Sequence, residues 1–475
     1  MQQESTAKGA AMSTIVLEFN ELSPALIDRF IAEGELPNMA RMRDGGFSAV
    51  TDAEEEAPNL EPWIQWVTVH TGMSFNEHGC FNLNEGAALD APRIWDLTSA
   101  AGQSNWICGS MNGGVQPGFK GHYLPDPWAT ESPALPAGYF DGFANLVRAY
   151  VQEHSARPDV SAGDFARFGA FMVRHGLSAG SVLAALKQLA EERAANVKWR
   201  RAMILDRLQW DVFASLWKRE KPDFATFFLN STAHFQHFHW REFEPELFKV
   251  RSSDEDQKAF AETVREGYRN MDRIVGQAMA LAGKSHNLVL LTALSQQPML
   301  THEDDGGRQI FRHRDIGGLL AFAGVEPGWE YAPVMSQQFL LHFASEDAAE
   351  AAAAKIEGLR LSDGRQPMWA RRTGVTLDAG CMIEQVPAEE TQVLSTVSNS
   401  ARGFFELFYP LEALRSGKHH PDGVFWVHGP GIAPQRLTDR VSLRAVAPTL
   451  AALAGVEGEF VFAPLVGREK VSLAA

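Results

Sequence analysis

The feature that most constrains this chain is a short unit near its start: a strand-length apolar run, a polar turn, then a helix signal. Thr14–Phe19 is an apolar run between polar flanks, as a strand buried on both faces requires. After Asn20 and Glu21, Ser23–Pro24 supplies a hydroxyl N-cap and a proline at the first helical position. Leu26, Ile27, Phe30 and Ile31 then fall at helical spacing, and Gly34 ends the helix. A strand joined to a helix by a short polar turn begins a parallel α/β sheet, where ligands gather at the carboxyl ends of the strands. Asn20 and Glu21 stand at such an end. The pattern recurs, with strands expected at Asn105–Cys108, Phe224–Leu229, 287–292, 318–323 and 423–428, and helices at about 259–281 and 442–453. The expected fold class is α/β, three-layered, with a central mostly parallel sheet and helices on both faces.

A chain of 475 residues is long for one compact unit. The expected core comprises 14–132, 222–325 and 405–475. Long helical runs at 133–221 predict a helical cap insertion, and 326–404 predicts a smaller α+β insertion with a helix at about 346–356. Residues 1–13 are expected as a disordered extension. The formal charge of −16 argues against a nucleic acid duplex or an anionic membrane as partner. Three scattered cysteines, Cys80, Cys108 and Cys381, without CxxC spacing favour a reducing compartment over disulfides or a thiolate zinc site. No apolar run reaches the roughly 20 residues of a membrane span, and the N-terminus has no secretory pattern, so a cytoplasmic protein is expected.

Several motifs then follow one another in order. Gly34–Glu35–Leu36–Pro37–Asn38 comes after the first helix, then Thr71–Gly72 and His78–Gly79, then Ser231–Thr232–Ala233–His234–Phe235–Gln236–His237. His420–Pro421–Asp422–Gly423, Gly429–Pro430–Gly431–Ile432 and Ala447–Pro448–Thr449–Leu450 close the series. This succession resembles the alkaline phosphatase superfamily, closest to its type I phosphodiesterase/nucleotide pyrophosphatase branch. The resemblance implies an alkaline phosphatase-like fold, two divalent metals held by aspartates and histidines, and a hydroxyl nucleophile. At the corresponding positions this chain has Asn20 for an aspartate, Glu61 or Pro62 for the nucleophile, Ala233 for an aspartate, and Thr292–Ala293–Leu294–Ser295 for an aspartate–histidine turn. His237 and His420 match the two histidines that remain.

Divalent ions need several anionic or imidazole donors, so a two-metal clamp is not expected here. The cofactor expectation is at most one divalent metal, zinc or manganese, held by His237, His420 and Glu61; the other reading leaves these as hydrogen-bonded cleft residues without metal. Candidate catalytic residues are Glu21, Glu61, His237 and His420. Candidate ligand-binding residues are Asn20, Trp63, Gln65, Trp66, His70, His234 and Arg312. Trp63 and Trp66 form either core or a stacking platform for a sugar or base, and Arg312 is of the type that clamps phosphate or sulfate. His302, Glu303, Asp304, Asp305 and His313 are candidates for displaced ligands. The function expected is hydrolysis or transfer at a phosphate or sulfate ester of a small molecule or glycan through a rebuilt site. The alternative is a catalytically inactive pseudoenzyme that holds a ligand or partner in the cleft. Both a monomer and a homo-oligomer fit the sequence.

Overall fold

The structure, a computed structural model, describes residues 12–129, 132–152, 160–411 and 413–467. Most of the expected N-terminal extension, residues 1–11, lies outside the described residues. The central strands are β1 (Thr14–Phe19), β2 (Phe47–Asp52), β3 (Asn105–Cys108), β4 (Gly121–Leu124), β5 (Phe224–Leu229) and β6 (Asn287–Leu291). From one edge the sheet runs β4, β3, β5, β1, β6, the strand Asp422–His428, then β2; short strands Gln435–Arg436 and Val441–Ser442 add to β2. β1 lies parallel to β5 and β6, with Thr14 opposite Phe224 and Asn287. The strand Asp422–His428 runs antiparallel to both β2 and β6.

Each residue of β1 is buried, which explains why the run shows no apolar–polar alternation. Ile15, Leu17 and Phe19 enter the core under α1 (Pro24–Ala32), α2 (Pro37–Asp44) and the helix Thr263–Ala282. Val16 enters the core on the other side, beneath α3 (Pro62–Thr71) and the helix Val446–Ala454. Neighbouring strand residues face opposite sides, so one strand serves both layers. The mostly parallel α/β sheet with helices on both faces is the fold of the chain.

Helices Asp141–Gln152, Ala162–Arg174, Ala179–Glu191 and Arg201–Glu220 stand between β4 and β5. A separate antiparallel sheet joins Glu330–Pro333, Gln338–His342, Met368–Thr373 and Thr376–Cys381, with the helix Glu346–Glu357 packed on it. One sequence expectation fails here. The run 318–323, read as a strand, lies in the helix Ile316–Ala323, which follows Asp315 and stops at Gly324 with φ +80°. Leu319, Leu320, Phe322 and Ala323 are buried, and the outward positions hold Gly318 and Ala321 rather than polar residues, so no polar face marks the helical period.

All three cysteines are free and buried. Among the described residues no helix is long and apolar enough to cross a membrane.

The helix Ser231–Phe243 is clasped from outside the sheet. Its Arg241 makes two parallel bonds to Glu303, Nη1 to Oε2 at 3.0 Å and Nη2 to Oε1 at 2.8 Å, and both side chains are buried. Glu303 also accepts from the Val250 amide at 2.8 Å. Glu303, one of the candidate displaced ligands, is thus occupied in holding a helix. Removing one partner strands a buried charge, so Glu303→Ala should lower the unfolding free energy by about 3 kcal/mol, read from the denaturant midpoint at unchanged slope.

Candidate active site around Glu21

β1 ends at Phe19, and the next two residues turn across the carboxyl edge of the sheet. Glu21 has φ +60°, a left-handed conformation uncommon outside glycine and costing about 1–2 kcal/mol. It is fixed there from several sides. Gln236 Nε2 donates to the Glu21 carbonyl at 2.7 Å, while Gln236 Oε1 accepts from the Tyr268 hydroxyl at 2.7 Å. Asn20 Nδ2 donates to Glu21 Oε1 at 2.8 Å and to Asn230 Oδ1 at 2.7 Å, and Asn20 Oδ1 accepts from Trp66 Nε1 at 2.8 Å. One Glu21 oxygen is therefore held by Asn20, and the other is turned toward two imidazoles.

Those imidazoles belong to His237, on the helix Ser231–Phe243, and His419, on the strand Gly417–His420. The latter strand pairs antiparallel with β7 (Ser295–Pro298), which places His419 opposite Gln296. Gln296 Nε2 donates to Glu21 Oε2. His237 Nε2 lies 3.0 Å and His419 Nε2 3.5 Å from the same oxygen. Glu21, His237 and His419 are the one group of three or more acidic, histidine or cysteine residues found close enough to hold a metal among the described residues, their ligand atoms lying within 4.8 Å of one another.

The far side of each ring decides its tautomer. His237 Nδ1 meets the Gly417 carbonyl at 3.2 Å, and His419 Nδ1 meets the Leu60 carbonyl at 2.9 Å. A carbonyl only accepts, so both Nδ1 atoms carry a proton, and each Nε2 faces the carboxylate, bare in a neutral ring and protonated in a charged one. Arg415 Nη2 approaches His237 Nε2 at 3.4 Å, a contact that a bare nitrogen accepts. Two imidazole nitrogens converging on one buried carboxylate oxygen require a positive charge there, carried by a ring proton or by a cation. A two-histidine, one-carboxylate donor set with backbone-oriented rings fits one divalent cation.

The electrostatics follow the same division. Burial alone would raise the Glu21 carboxyl, but His237 and His419 outweigh it and hold it well below the usual range. Burial lowers His237 to about 4, helped by Arg415 and opposed by Glu21. Burial opposes a charge on His419 as well, yet Glu61 and Glu21 raise it above the ordinary imidazole value. In the metal-free protein, His419 takes up as a proton the charge the cluster needs. Burial raises the Glu61 carboxyl, which stands at the N-cap of α3 with Oε2 3.5 Å from His419 Nδ1. Burial lowers the Arg415 guanidinium to about 10; among the described residues no carboxylate lies within ion-pair distance of it.

Residues 14–357 match the profile of the family described as type I phosphodiesterase / nucleotide pyrophosphatase. The chain belongs to that family. It is thereby a phosphate ester hydrolase-type member of the alkaline phosphatase superfamily. No curated protein sequence matches this chain. Among solved structures, human ectonucleotide pyrophosphatase / phosphodiesterase 5 is similar at 8% identity and TM-score 0.42, covering 95% of this chain and 97% of that one. Phosphonoacetate hydrolase from Sinorhizobium meliloti 1021, in complex with phosphonoacetate, is similar at 12% identity and TM-score 0.44, covering 94% of this chain and 95% of that one.

Within this phosphodiesterase-family fold the residues singled out from sequence separate into groups. Glu21, His237 and Glu61 come together, but His420 does not join them. Its ring turns to Asp422, whose amide donates to His420 Nδ1 at 3.2 Å, and His419 stands in the cluster instead. Asn20 faces the site but spends both amide hydrogens within the protein, so it positions Glu21 rather than a ligand. Trp66 is wholly buried and supports Asn20. Gln65 is wholly buried and donates to the Asn59 carbonyl at 3.0 Å. His70 is buried against Glu18, at 3.0 Å, and tilts against Trp95. These three belong to the core beneath the site.

Trp63 remains partly exposed. It lines a cleft of about 280 Å³ together with Glu61, Phe81, Trp369, Arg371 and Asp378. The platform expected of the Trp63–Trp66 pair is thus offered by Trp63 with Trp369. His234 packs against Phe238, and Arg312 donates to the Tyr331 hydroxyl at 3.3 Å. His313 is packed between Tyr331 and Phe339, and burial lowers it to about 4. Sequence reasoning missed His419, Gln296 and Arg415. The strand alternation of Lys418–His419–His420 carried a signal for the first; nothing local marks the other two.

The raised His419 value sets a sign. Its interaction with the carboxylates stabilises the fold fully below an unfolded imidazole value of about 6.5 and is lost as pH rises through the higher folded value. In metal-free protein, Glu61→Gln should lower the His419 titration midpoint by about one pH unit, followed by proton NMR of the ring.

Proposed function

We propose that this protein hydrolyses, or transfers a group from, a phosphate or sulfate ester at a site that uses one divalent cation in place of two. The observation that carries this reading is the convergence of two imidazole Nε2 atoms, each with its Nδ1 on a backbone carbonyl, on the Glu21 carboxylate. Glu21, His237 and His419 would hold the cation, zinc or manganese by donor type. When bound, it would supply Lewis-acid polarisation of an ester oxygen. The position matching a second metal site supports the same reading: Thr292 bonds the Val424 amide, and Ala293 and Leu294 are wholly buried apolar residues.

The remaining roles fall to groups around the cluster. Glu61, with Pro62, is one of the two positions that match the family's hydroxyl nucleophile, and its raised carboxyl value suits proton exchange. It takes the proton from an attacking water or alcohol. Arg415, without a carboxylate at ion-pair distance among the described residues, binds the non-bridging oxygens of the ester and carries the charge that develops on them. The Trp63–Trp369 cleft beside Glu61 holds the remainder of the substrate, a small molecule or glycan. Three free, buried thiols fit the cytoplasm as its compartment.

Elemental analysis combined with generic phosphodiester, phosphomonoester and sulfate-ester assays tests this. The expected result is about one zinc or manganese per chain, lost in His237→Ala and His419→Ala. Glu61→Gln should keep the metal and lose turnover at least about 100-fold. A metal-free, inactive protein under all these conditions would leave the pseudoenzyme reading in its place. Protonation of His419 competes with the metal, so affinity should fall by about tenfold per pH unit below its raised value, measured by calorimetric zinc titration.

A further inference from the structure

On the helical side of the sheet, well apart in composition from the Glu21 cluster, a groove of about 320 Å³ opens between three helices. These are Ala179–Glu191, Arg201–Glu220 and Thr263–Ala282. Its walls bear Lys187, Arg200, Arg207, Arg269 and Arg273. Among the lining residues only Glu191 and Glu266 are acidic, leaving an excess of three positive side chains on the lining of a chain whose net charge is −16. Such a concentration runs against the character of the whole surface.

The pairing inside the groove is incomplete. Lys187 and Arg200 share Glu191, at 3.5 and 3.1 Å, while Arg269 is fully paired, with Glu266 at 3.0 Å, Glu35 at 3.1 Å and Glu262 at 3.7 Å. Arg207 and Arg273 have no carboxylate within ion-pair distance among the described residues. Arg273 gives one guanidinium nitrogen to the neutral Asn270 amide oxygen, and its Nε is buried without an acceptor, as is the Nε of Arg200. Burial lowers Arg273 to about 10, and repulsion from Arg207 adds to this. A guanidinium with an unsatisfied buried donor, set beside a second guanidinium, is costly unless an anion completes it. The backing is firm: Asn270 Nδ2 and the Ser231 hydroxyl both donate to the buried Asp206 carboxylate, at 2.7 and 2.6 Å.

Guanidinium forks match phosphate oxygens in pairs. Two phosphate groups bring a charge of about −3 to −4, comparable to the excess on the walls. We propose that this groove is a second binding site, for a small molecule carrying a diphosphate or triphosphate group. It stands independently of the reaction assigned to the Glu21 cluster.

Calorimetric titration of the full chain with inorganic tripolyphosphate tests this, with Arg415→Gln as a control that disables the anion contact of the other site. The expected result is one binding event that survives in Arg415→Gln and weakens about tenfold or more in the double variant Arg207→Gln/Arg273→Gln. Lys187 has a largely exposed side chain, so Lys187→Gln cannot unfold the protein and should weaken binding by a few-fold. Absence of binding overturns the proposal. So does binding that is lost in Arg415→Gln, or that is unchanged in both Lys187→Gln and the double variant.

Discussion

The structure around the carboxyl edge of the sheet depends on one electrostatic requirement: a positive charge, on a ring or on a cation, has to sit where Glu21 meets two imidazoles. Remove it and three acceptors confront one another in a buried space, which low dielectric makes costly. The left-handed backbone at Glu21, the Gln236 bond to its carbonyl and the Asn20 bond to its Oε1 all serve to aim one carboxylate oxygen at that point. The two carbonyls behind the rings complete the arrangement by fixing both tautomers.

The fold supplies rigidity from below. Glu18, one residue before the end of β1, is buried between His70 and the Ser110 hydroxyl, which donates to it at 2.6 Å. His70 in turn packs on Trp66, whose indole holds Asn20. Hydrogen bonds and one ring stack join this buried chain, and such networks specify one arrangement of the core. The residues that looked most like ligands in the segment after Pro62 are therefore the ones that hold the site still. Trp63, partly exposed in the first turn of the same helix, is the one that reaches the cleft.

Much of the architecture was legible because parallel strands at the centre of a sheet leave an unmistakable mark, an apolar run closed by a polar turn. Thr14–Phe19 and Phe224–Leu229 read correctly to the residue. Residues 318–323 did not, since their outward positions hold glycine and alanine and leave no polar period. At the candidate site, Glu21 was legible from its place after a strand's carboxyl end and His237 from the family motif. His420 was chosen over His419 because its motif context resembled the family pattern; the pairing register with β7 decided otherwise, and register is a tertiary fact. Arg415 and Gln296 have no local signature at all, because what brings them to His237 and Glu21 is the chain that folds over them.

Gly417 joins the two histidines more tightly than their separation in sequence suggests. Its carbonyl steadies the His237 ring, and the strand it opens carries His419 two residues on. A β-carbon at this position would meet the Gln296 side-chain oxygen at 2.3 Å and the Gln236 carbonyl at 2.5 Å. Both of those glutamines also touch Glu21. A single methyl group there would thus push on both glutamines that hold Glu21, on a strand that also carries His419 and steadies His237.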